Sequence, residues 1–393
     1  MKKILMLGGA RSQVPAIRRA KELGYYVITC DFLPENPGHA FADQYKNIST
    51  TDKEKVLEFA EENQVDGVIA YASDPSAATA AYVSDKLNLP GASFDSVRLL
   101  SEKDLFRQFQ KENGFKAPLF FSVTNIEEAR NAAEKMRYPC MVKPVDSSGS
   151  KGVSKVEKSE QLEAAVKKAM EFSKCGRVII EEFIDTPYHQ LHGDGVVVNG
   201  KLLFAALGDQ RFRNSVPIGS SLPSRIDACL LKQVYAETGR LLERSGYSCG
   251  GVNIEARVTQ EGEIYIVEIG PRTGGNYVPQ LMELATGVDE MTAVLQIAMG
   301  ETCRIGMPMQ MDCCFQYIIG SDENGHFQEI EMDEYIKPKV VQLFTHKKKG
   351  DWIEEYQNSS GVVGVVILRF KDIEEMEEDI ENIKKHIKVV VER

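Results

Sequence analysis

Two glutamates that a predicted hairpin sets face to face are the residues of this chain best equipped for chemistry. Residues 249–276 read CGGVNIEARVTQEGEIYIVEIGPRTGGN, two alternating runs around Glu261-Gly262, which can serve as a two-residue turn. In that register Ile254 faces Ile269, Ala256 faces Val267 and Val258 faces Tyr265, an apolar side suited to a core. The opposite side sets Glu255 against Glu268, and directly opposed side chains have Cβ atoms roughly 4.5–5.5 Å apart. Two such carboxylates repel unless a cation neutralises them, and hard divalent cations take carboxylate oxygens while filling their other positions with water and phosphate. A three-residue loop that changes the pairing, or a solvated polar face, are the alternatives. Arg272 follows Glu268 within a glycine-bearing turn that can aim its guanidinium at the same place.

Anion-binding groups lie upstream. Lys143, between Val142 and Pro144 in a predicted strand over 139–145, is a lysine in a buried-looking element and needs an anionic partner. The following loop, Asp146-Ser147-Ser148-Gly149-Ser150-Lys151-Gly152, has little side-chain bulk and many backbone N–H groups, so it can close over phosphates. It is not a Walker A loop, because GxxxxGK[ST] is absent. Lys103 sits in the first turn of a predicted helix over 101–113, where the dipole disfavours a cation, and reads as a surface lysine unless an anion approaches it. An apolar strand over 177–184, RVIIEEFI, ends in Glu181-Glu182-Phe183-Ile184.

The elements that must position these groups follow a legible order. Strand 2–8, helix 12–23 and strand 26–31 open a parallel α/β sheet that helices over 53–63 and 75–87 and a strand over 66–71 continue, closing near Pro90-Gly91. The first turn reads GGARSQ rather than GxGxxG, which argues against dinucleotide binding. Helices are predicted over 125–136 and 159–171, then a hairpin over 195–207 turned at Asn199-Gly200, a long irregular stretch over 209–225, and a helix over 227–245. After the glutamate hairpin come helices over 277–286 and 289–299. The C-terminal part carries strands over 313–319, 340–344 and 362–370 and an acidic amphipathic helix over 373–387.

A chain of 393 residues, 43% hydrophobic and 27% charged, is globular and divides into two or three domains. A net charge of −11 argues against nucleic acid as a partner. Eight cysteines without a CxxC pair suggest reduced thiols rather than a zinc site or disulfide framework. The apolar run at 4–7 is too short for a signal peptide, and no run reaches the roughly 18 residues that span a membrane. A cytoplasmic protein with no membrane partner is expected.

A helical lysine, a strand lysine, a glycine loop, an EEFI strand and a hairpin with facing carboxylates, in that order, resemble the ATP-grasp superfamily, and within it the carboxylate-amine ligases that include bacterial L-amino acid ligases. The resemblance implies an α/β and α+β multidomain fold. A Rossmann-like pre-ATP-grasp domain would span 1–95, the ATP-grasp domain 96–300 (nucleotide-binding subdomain about 105–187), and a C-terminal α+β lid-like part 301–393. It implies ATP with Mg²⁺ or Mn²⁺, small carboxylate and amine substrates, and a homodimer. By position, Lys103 and Lys143 would hold nucleotide phosphates, the flap Ser147, Ser148, Gly149, Ser150 and Gly152 would cover them, and Glu181, Glu182, Phe183 and Ile184 would contact adenine, largely through backbone. Glu255 and Glu268 would bind metal. Arg272 would hold the reacting carboxylate, with Lys143 assisting, and Gly274, Gly275 and Asn276 would form the substrate-side loop. The family commonly has an asparagine ligand where this chain has Gly270, so Asn253, opposite Gly270 in the predicted register, or water is expected to complete the shell. The acid that usually grips ribose is not evident; Tyr188, His189 and Gln190 stand in its neighbourhood. Relatives that use formate or bicarbonate in purine synthesis share this machinery, and a nucleotide-binding regulator without chemistry is the other alternative.

Overall fold

A computed structural model describes residues 1–213 and 216–393. Strands β1 (Lys3–Leu7), β2 (Tyr26–Cys30), β3 (Gln44–Lys46) and β4 (Gly67–Ile69) form a parallel sheet in the order β3-β2-β1-β4. Helices α1 (Val14–Glu22) and α2 (Lys53–Glu62) make crossovers of this sheet, and α3 (Asp74–Leu87) and α4 (Phe94–Ser101) lead out of it after β4. The β1 strand is buried from Ile4 to Leu7, as a short continuous apolar run demands when helices cover both faces.

After α5 (Lys103–Glu112), strands β5 (Phe120–Val123), β6 (Cys140–Pro144), β7 (Ser154–Val156) and β8 (Val178–Glu182) form an antiparallel sheet ordered β5-β8-β6-β7. Helices α6 (Ile126–Ala133) and α7 (Leu162–Phe172) bury its apolar face in a core of Val123, Val142, Val166 and Ile180.

The third unit is an eight-stranded antiparallel sheet. It takes β9 (Gln190–Val198), β10 (Lys201–Arg213) and β11 (Val216–Leu222), then, past α8 (Ala228–Arg244), β12 (Gly250–Val258) and β13 (Ile264–Gly270). Helices α9 (Val278–Thr286) and α10 (Glu290–Ala298) follow, then β14 (Cys314–Gly320), β15 (Gly325–Met332), β16 (Val340–Thr345), β17 (Trp352–Ile353), β18 (Val362–Arg369), α11 (Ile373–His386) and β19 (Ile387–Glu392). The large sheet is ordered β13-β12-β9-β10-β11-β14-β18-β16, and β17-β15-β19 form a small sheet beside it. C-terminal strands thus extend the sheet that carries the glutamate hairpin, and the sheet runs without a break across residue 300.

The β9–β10 hairpin turns at Asn199-Gly200, both left-handed (φ 52° and 74°), as a primed two-residue turn requires. The stretch over 209–225, expected to be irregular, instead holds the end of β10 and all of β11; Asn214 and Ser215 lie outside the described residues. The strand pattern was hidden because Gln210 and Ser220 face the cleft while Asp209, Arg211 and Ser221 are buried in polar contacts. No helix among the described residues is long and apolar enough to cross a membrane, and all eight cysteines are free thiols.

Candidate active site

The glutamate hairpin has a three-residue loop, Gln260 to Gly262, not the two-residue turn read from the sequence. Thr259 N donates to Glu263 O and Gly262 N to Thr259 O, each at 3.0 Å. A primed two-residue turn would have needed a left-handed glutamate at 261; here Gly262 alone takes positive φ (80°), the natural residue for it. The longer loop pairs Val258 with Ile264, Arg257 with Tyr265 and Ala256 with Ile266, correcting the predicted pairs Val258–Tyr265 and Ala256–Val267. A β-bulge at Val267 then restores the original register, so Glu255 faces Glu268, Ile254 faces Ile269 and Asn253 faces Gly270.

These carboxylates lie in a cleft of about 620 Å³ between the two antiparallel sheets. Lys103, Lys143, Ser147, Ser148, Gly149, Ser150, Glu181, Glu182, Phe183, Ile184, Asn253, Glu255, Glu268, Arg272, Gly275 and Asn276 all line it. Gly152 does not: it sits at positive φ (72°) between Phe172 and Pro144, each 2.9 Å from where a Cβ would lie, and anchors the base of the flap. At the flap tip a Cβ on Gly149 would meet Ser359 Oγ at 2.5 Å, so the flap rests on the C-terminal part with no room for a side chain.

Lys143 reaches along its face of β6 to Glu181, which also receives Arg107 Nε at 2.9 Å. Burial pushes the Glu181 carboxyl up, but Arg107 and Lys143 outweigh it and hold the group at about 2. Glu181 therefore fixes the strand lysine rather than facing the cleft as a free acid. Lys103, at the start of α5, donates from Nζ to Ser147 O at 2.8 Å and lies 3.8 Å from Glu268 Oε2, bridging flap and carboxylate pair. The Phe183 ring lies 4.5 Å from Lys155 Nζ and 4.8 Å from Arg257 Cζ, and Arg257 Nη1 donates to Ile184 O at 2.8 Å, so cation–π contacts and a hydrogen bond hold the EEFI segment.

Glu255 has the opposite electrostatics. Burial and then the facing Glu268 push its carboxyl up to about 7, against weaker opposition from Lys143, Arg257 and Arg272. Its contact from the chain is Gln190 Nε2 at 2.8 Å, a neutral donor. An under-compensated pair of hard oxygen ligands is the donor set that a divalent cation fits. Among the described residues no cluster of three or more His, Cys, Asp or Glu side chains forms a closed cage. Asn253 uses Nδ2 three times, to Asp194 Oδ1 (2.7 Å), Gly193 O (3.0 Å) and His192 Nε2 (3.2 Å). Those contacts orient the amide so that its carbonyl is not engaged by any described residue.

Arg272 makes a two-point pair with Asp74 at the first turn of α3, Nε to Oδ1 at 2.6 Å and Nη2 to Oδ2 at 2.7 Å, and Nη1 donates to Thr273 O at 3.0 Å. Arg272 in turn holds the Asp74 carboxyl below its usual range against the effect of burial. This pair explains Gly270. A Cβ there would lie 3.1 Å from Arg272 Cζ and 3.2 Å from Asp74 Oδ1, so the guanidinium–carboxylate plate occupies the space an asparagine side chain would need.

Sequence reasoning missed Asp74, Arg107, His192 and Asp194. Asp194 is fully buried in β9, where it accepts from Asn253 and from Gly274 N, each at 2.7 Å, and so ties the loop at 274–276 to the sheet. An aspartate beside a valine run was its only signal. His192 is buried too; burial and then the charge of Arg272 hold it down at about 4. It is neutral at pH 7, so Nε2 accepts from Asn253 and Nδ1–H donates to Ser220 Oγ at 2.7 Å.

Comparison with known proteins identifies the family and the fold. The family model "Carbamoyl-phosphate synthase L chain, ATP binding domain" matches residues 102–305, and "L-amino acid ligase C-terminal domain 2" matches 318–392. The carbamoyl phosphate synthase large chain of Thermotoga petrophila is 31% identical over 267 residues, covering 64% of this chain and 23% of that one. This chain thus spans under a quarter of the first curated relatives. A formate-dependent phosphoribosylglycinamide formyltransferase of Bacteroides thetaiotaomicron is 27% identical over 276 residues, covering 69% and 71% of the two chains. The fold matches the crystal structure of L-amino acid ligase from Bacillus licheniformis with a TM-score of 0.86 at 21% identity, covering 100% of this chain and 99% of that one. With the ATP-binding model spanning over half of its length and the cleft built between the two antiparallel sheets, this chain belongs to the ATP-grasp family.

Proposed function

We propose that the protein is an ATP-dependent carboxylate-amine ligase that joins an amino acid or small acid to an amine. The carboxylate oxygen attacks the γ-phosphorus of ATP and the bond to the β–γ bridging oxygen breaks, giving an acyl phosphate and ADP. The amine then attacks the acyl carbon, phosphate departs, and a proton is released as the amide forms. What carries this reading is the pairing in one cleft of an under-compensated glutamate pair with two fixed lysines, together with the ligase-type match at residues 318–392.

Lys103 and Lys143 hold the phosphates and neutralise their charge, and Ser147, Ser148, Gly149 and Ser150 exclude water above them. Backbone groups of Glu182, Phe183 and Ile184 face the base. Glu255, Glu268 and the Asn253 carbonyl would hold Mg²⁺, which supplies charge neutralisation at the β- and γ-phosphates. Arg272 orients the acid: it either keeps Asp74 and offers its remaining N–H groups, or exchanges Asp74 for the substrate carboxylate. Gly275 and Asn276 line the acceptor side.

A Mg·ATP-dependent phosphate-release screen over amino acids and small acids, with hydroxylamine present, tests the reading. A hydroxamate formed without added amine identifies the acid. Phosphate release with formate or bicarbonate alone would replace the ligase by a one-carbon user, and nucleotide binding without phosphate release under any condition would leave a regulator. For the ligand set, Asn253→Ala is expected to raise the Mg²⁺ concentration needed for half-activity; an unchanged requirement removes Asn253 from the shell.

A further inference from the structure

The bulge at Val267 decides whether Glu255 and Glu268 meet at all. Extending the loop-side register of β12 and β13 would oppose Glu255 to Val267, and the one-residue slip would turn Glu268 toward the core face. The three-residue loop therefore sets a register that destroys the acid pair, and the bulge repairs it. Some force must hold a bulge at that position, since bulging leaves a residue without its ladder partner.

Two side chains of α5 supply it. Gln110 Nε2 donates to Ile266 O at 2.8 Å and Arg107 Nη2 donates to Val267 O at 2.7 Å. Successive carbonyls of a straight strand point to opposite sides, so one helix can take both only where the strand is kinked. The two donors are locked together, Arg107 Nη1 to Gln110 Oε1 at 3.0 Å, and both side chains are buried, at 2% and 0% exposure. Arg107 spends Nε on Glu181, the anchor of Lys143, and lies one helical turn from Lys103. One guanidinium thus ties together the strand lysine, the helix bearing the other lysine, and the strand bearing Glu268.

We propose that Arg107 and Gln110 are positioning residues that fix the β13 bulge and thereby bring Glu268 opposite Glu255 to form the cation site. This rests on the ligase reading for the site's purpose, but not for the brace itself. Gln110 does not line the cleft, and Arg107, which does, is 2% exposed and has its guanidinium engaged by Glu181, Gln110 and Val267.

The test uses Arg107→Lys, which keeps a cation beside Glu181 but cannot reach three acceptors, and Gln110→Met, which removes no charge. Lys116→Met is the control, since it breaks the exposed Lys116–Glu263 pair on the same hairpin away from the bulge. Two quantities are read on the full chain: Mn²⁺ binding in the presence of a non-hydrolysable ATP analogue, by electron paramagnetic resonance of free Mn²⁺, and amide hydrogen exchange across 264–270 without ligand. Arg107→Lys and Gln110→Met should each weaken Mn²⁺ binding by about tenfold or more and speed exchange, while Lys116→Met changes neither. Unchanged exchange in both variants overturns the brace, and so does faster exchange with unaltered Mn²⁺ affinity, which reduces the contacts to plain stabilisation. If the unsubstituted protein binds no Mn²⁺ with the analogue, the ligase reading falls on its own; selective acceleration at 264–270 then still supports the brace.

Discussion

Glu181 and Glu255 are both glutamates set into strands around one cleft, yet their carboxyls are driven in opposite directions, to about 2 and about 7. Burial pushes both up. The difference is the company each keeps: Arg107 and Lys143 for Glu181, the like-charged Glu268 and a neutral amide for Glu255. One acid of the cleft is therefore neutralised by the chain itself before anything binds. The other faces a like charge that the chain leaves under-compensated, and that asymmetry would separate a scaffold acid from the ligand acid of the proposed site.

The comparison breaks most visibly at Glu181. Glu181→Gln strands Arg107 and Lys143 and should cost about 3–5 kcal/mol, read as a lower urea midpoint. Glu255→Gln should do the reverse to the fold, raising the midpoint of the ligand-free protein by relieving repulsion, while lowering turnover about 10²–10³-fold. If the two variants destabilise alike, the assigned roles are wrong. The next effect in size is a pH dependence. The Glu255 carboxyl sits above its ordinary value of 4.5, so the folded protein holds an extra proton between about 4.5 and 7. Its contribution to ligand-free stability is full below about 4.5 and is lost as pH rises through about 7. Mg²⁺ affinity runs the other way, falling up to about tenfold per pH unit below 7 as protons compete. Glu181 adds a loss as pH falls from about 4.5 through about 2. The smallest effect is expected of Asp74→Asn, which leaves an amide in the two-point pair while Asp194 and Glu268 still offset the Arg272 charge, and should cost about 1–3 kcal/mol. A lower KM for the acid substrate in that variant would mean that Asp74 competes for the Arg272 fork, and an unchanged KM that Arg272 works with Asp74 in place.

Much of the fold was legible because it is written in short-range patterns. Apolar runs at 4–7 and 26–30 and Asn199-Gly200 between alternating strands each specify an element through nearest-neighbour physics. The strand pair at 209–222 was not legible, because its buried polar residues are satisfied by partners distant in sequence, as when Asp209 accepts from Ser224 and Arg211 pairs with Glu377. Site residues showed the same division. Lysines, glycines and glutamates announced themselves by type, whereas Asp74 and Arg107 gave no local signal of what they would touch.

The sequence alone determined the inventory and its order: two lysines, a flexible glycine loop, an acid on each strand of a hairpin, and Arg272 after them. Local propensity and alternation suffice for that. Tertiary structure decided whether the acids meet. A three-residue loop with left-handed Gly262 sets a register that would have separated Glu255 from Glu268, and Arg107 and Gln110 of α5 donate to the carbonyls of the compensating bulge. It also decided Gly270, whose missing side chain makes room for a pair that Arg272 forms with Asp74, 198 positions away in sequence. Register and long-range ion pairs depend on what packs against a strand, and no window along the chain contains that.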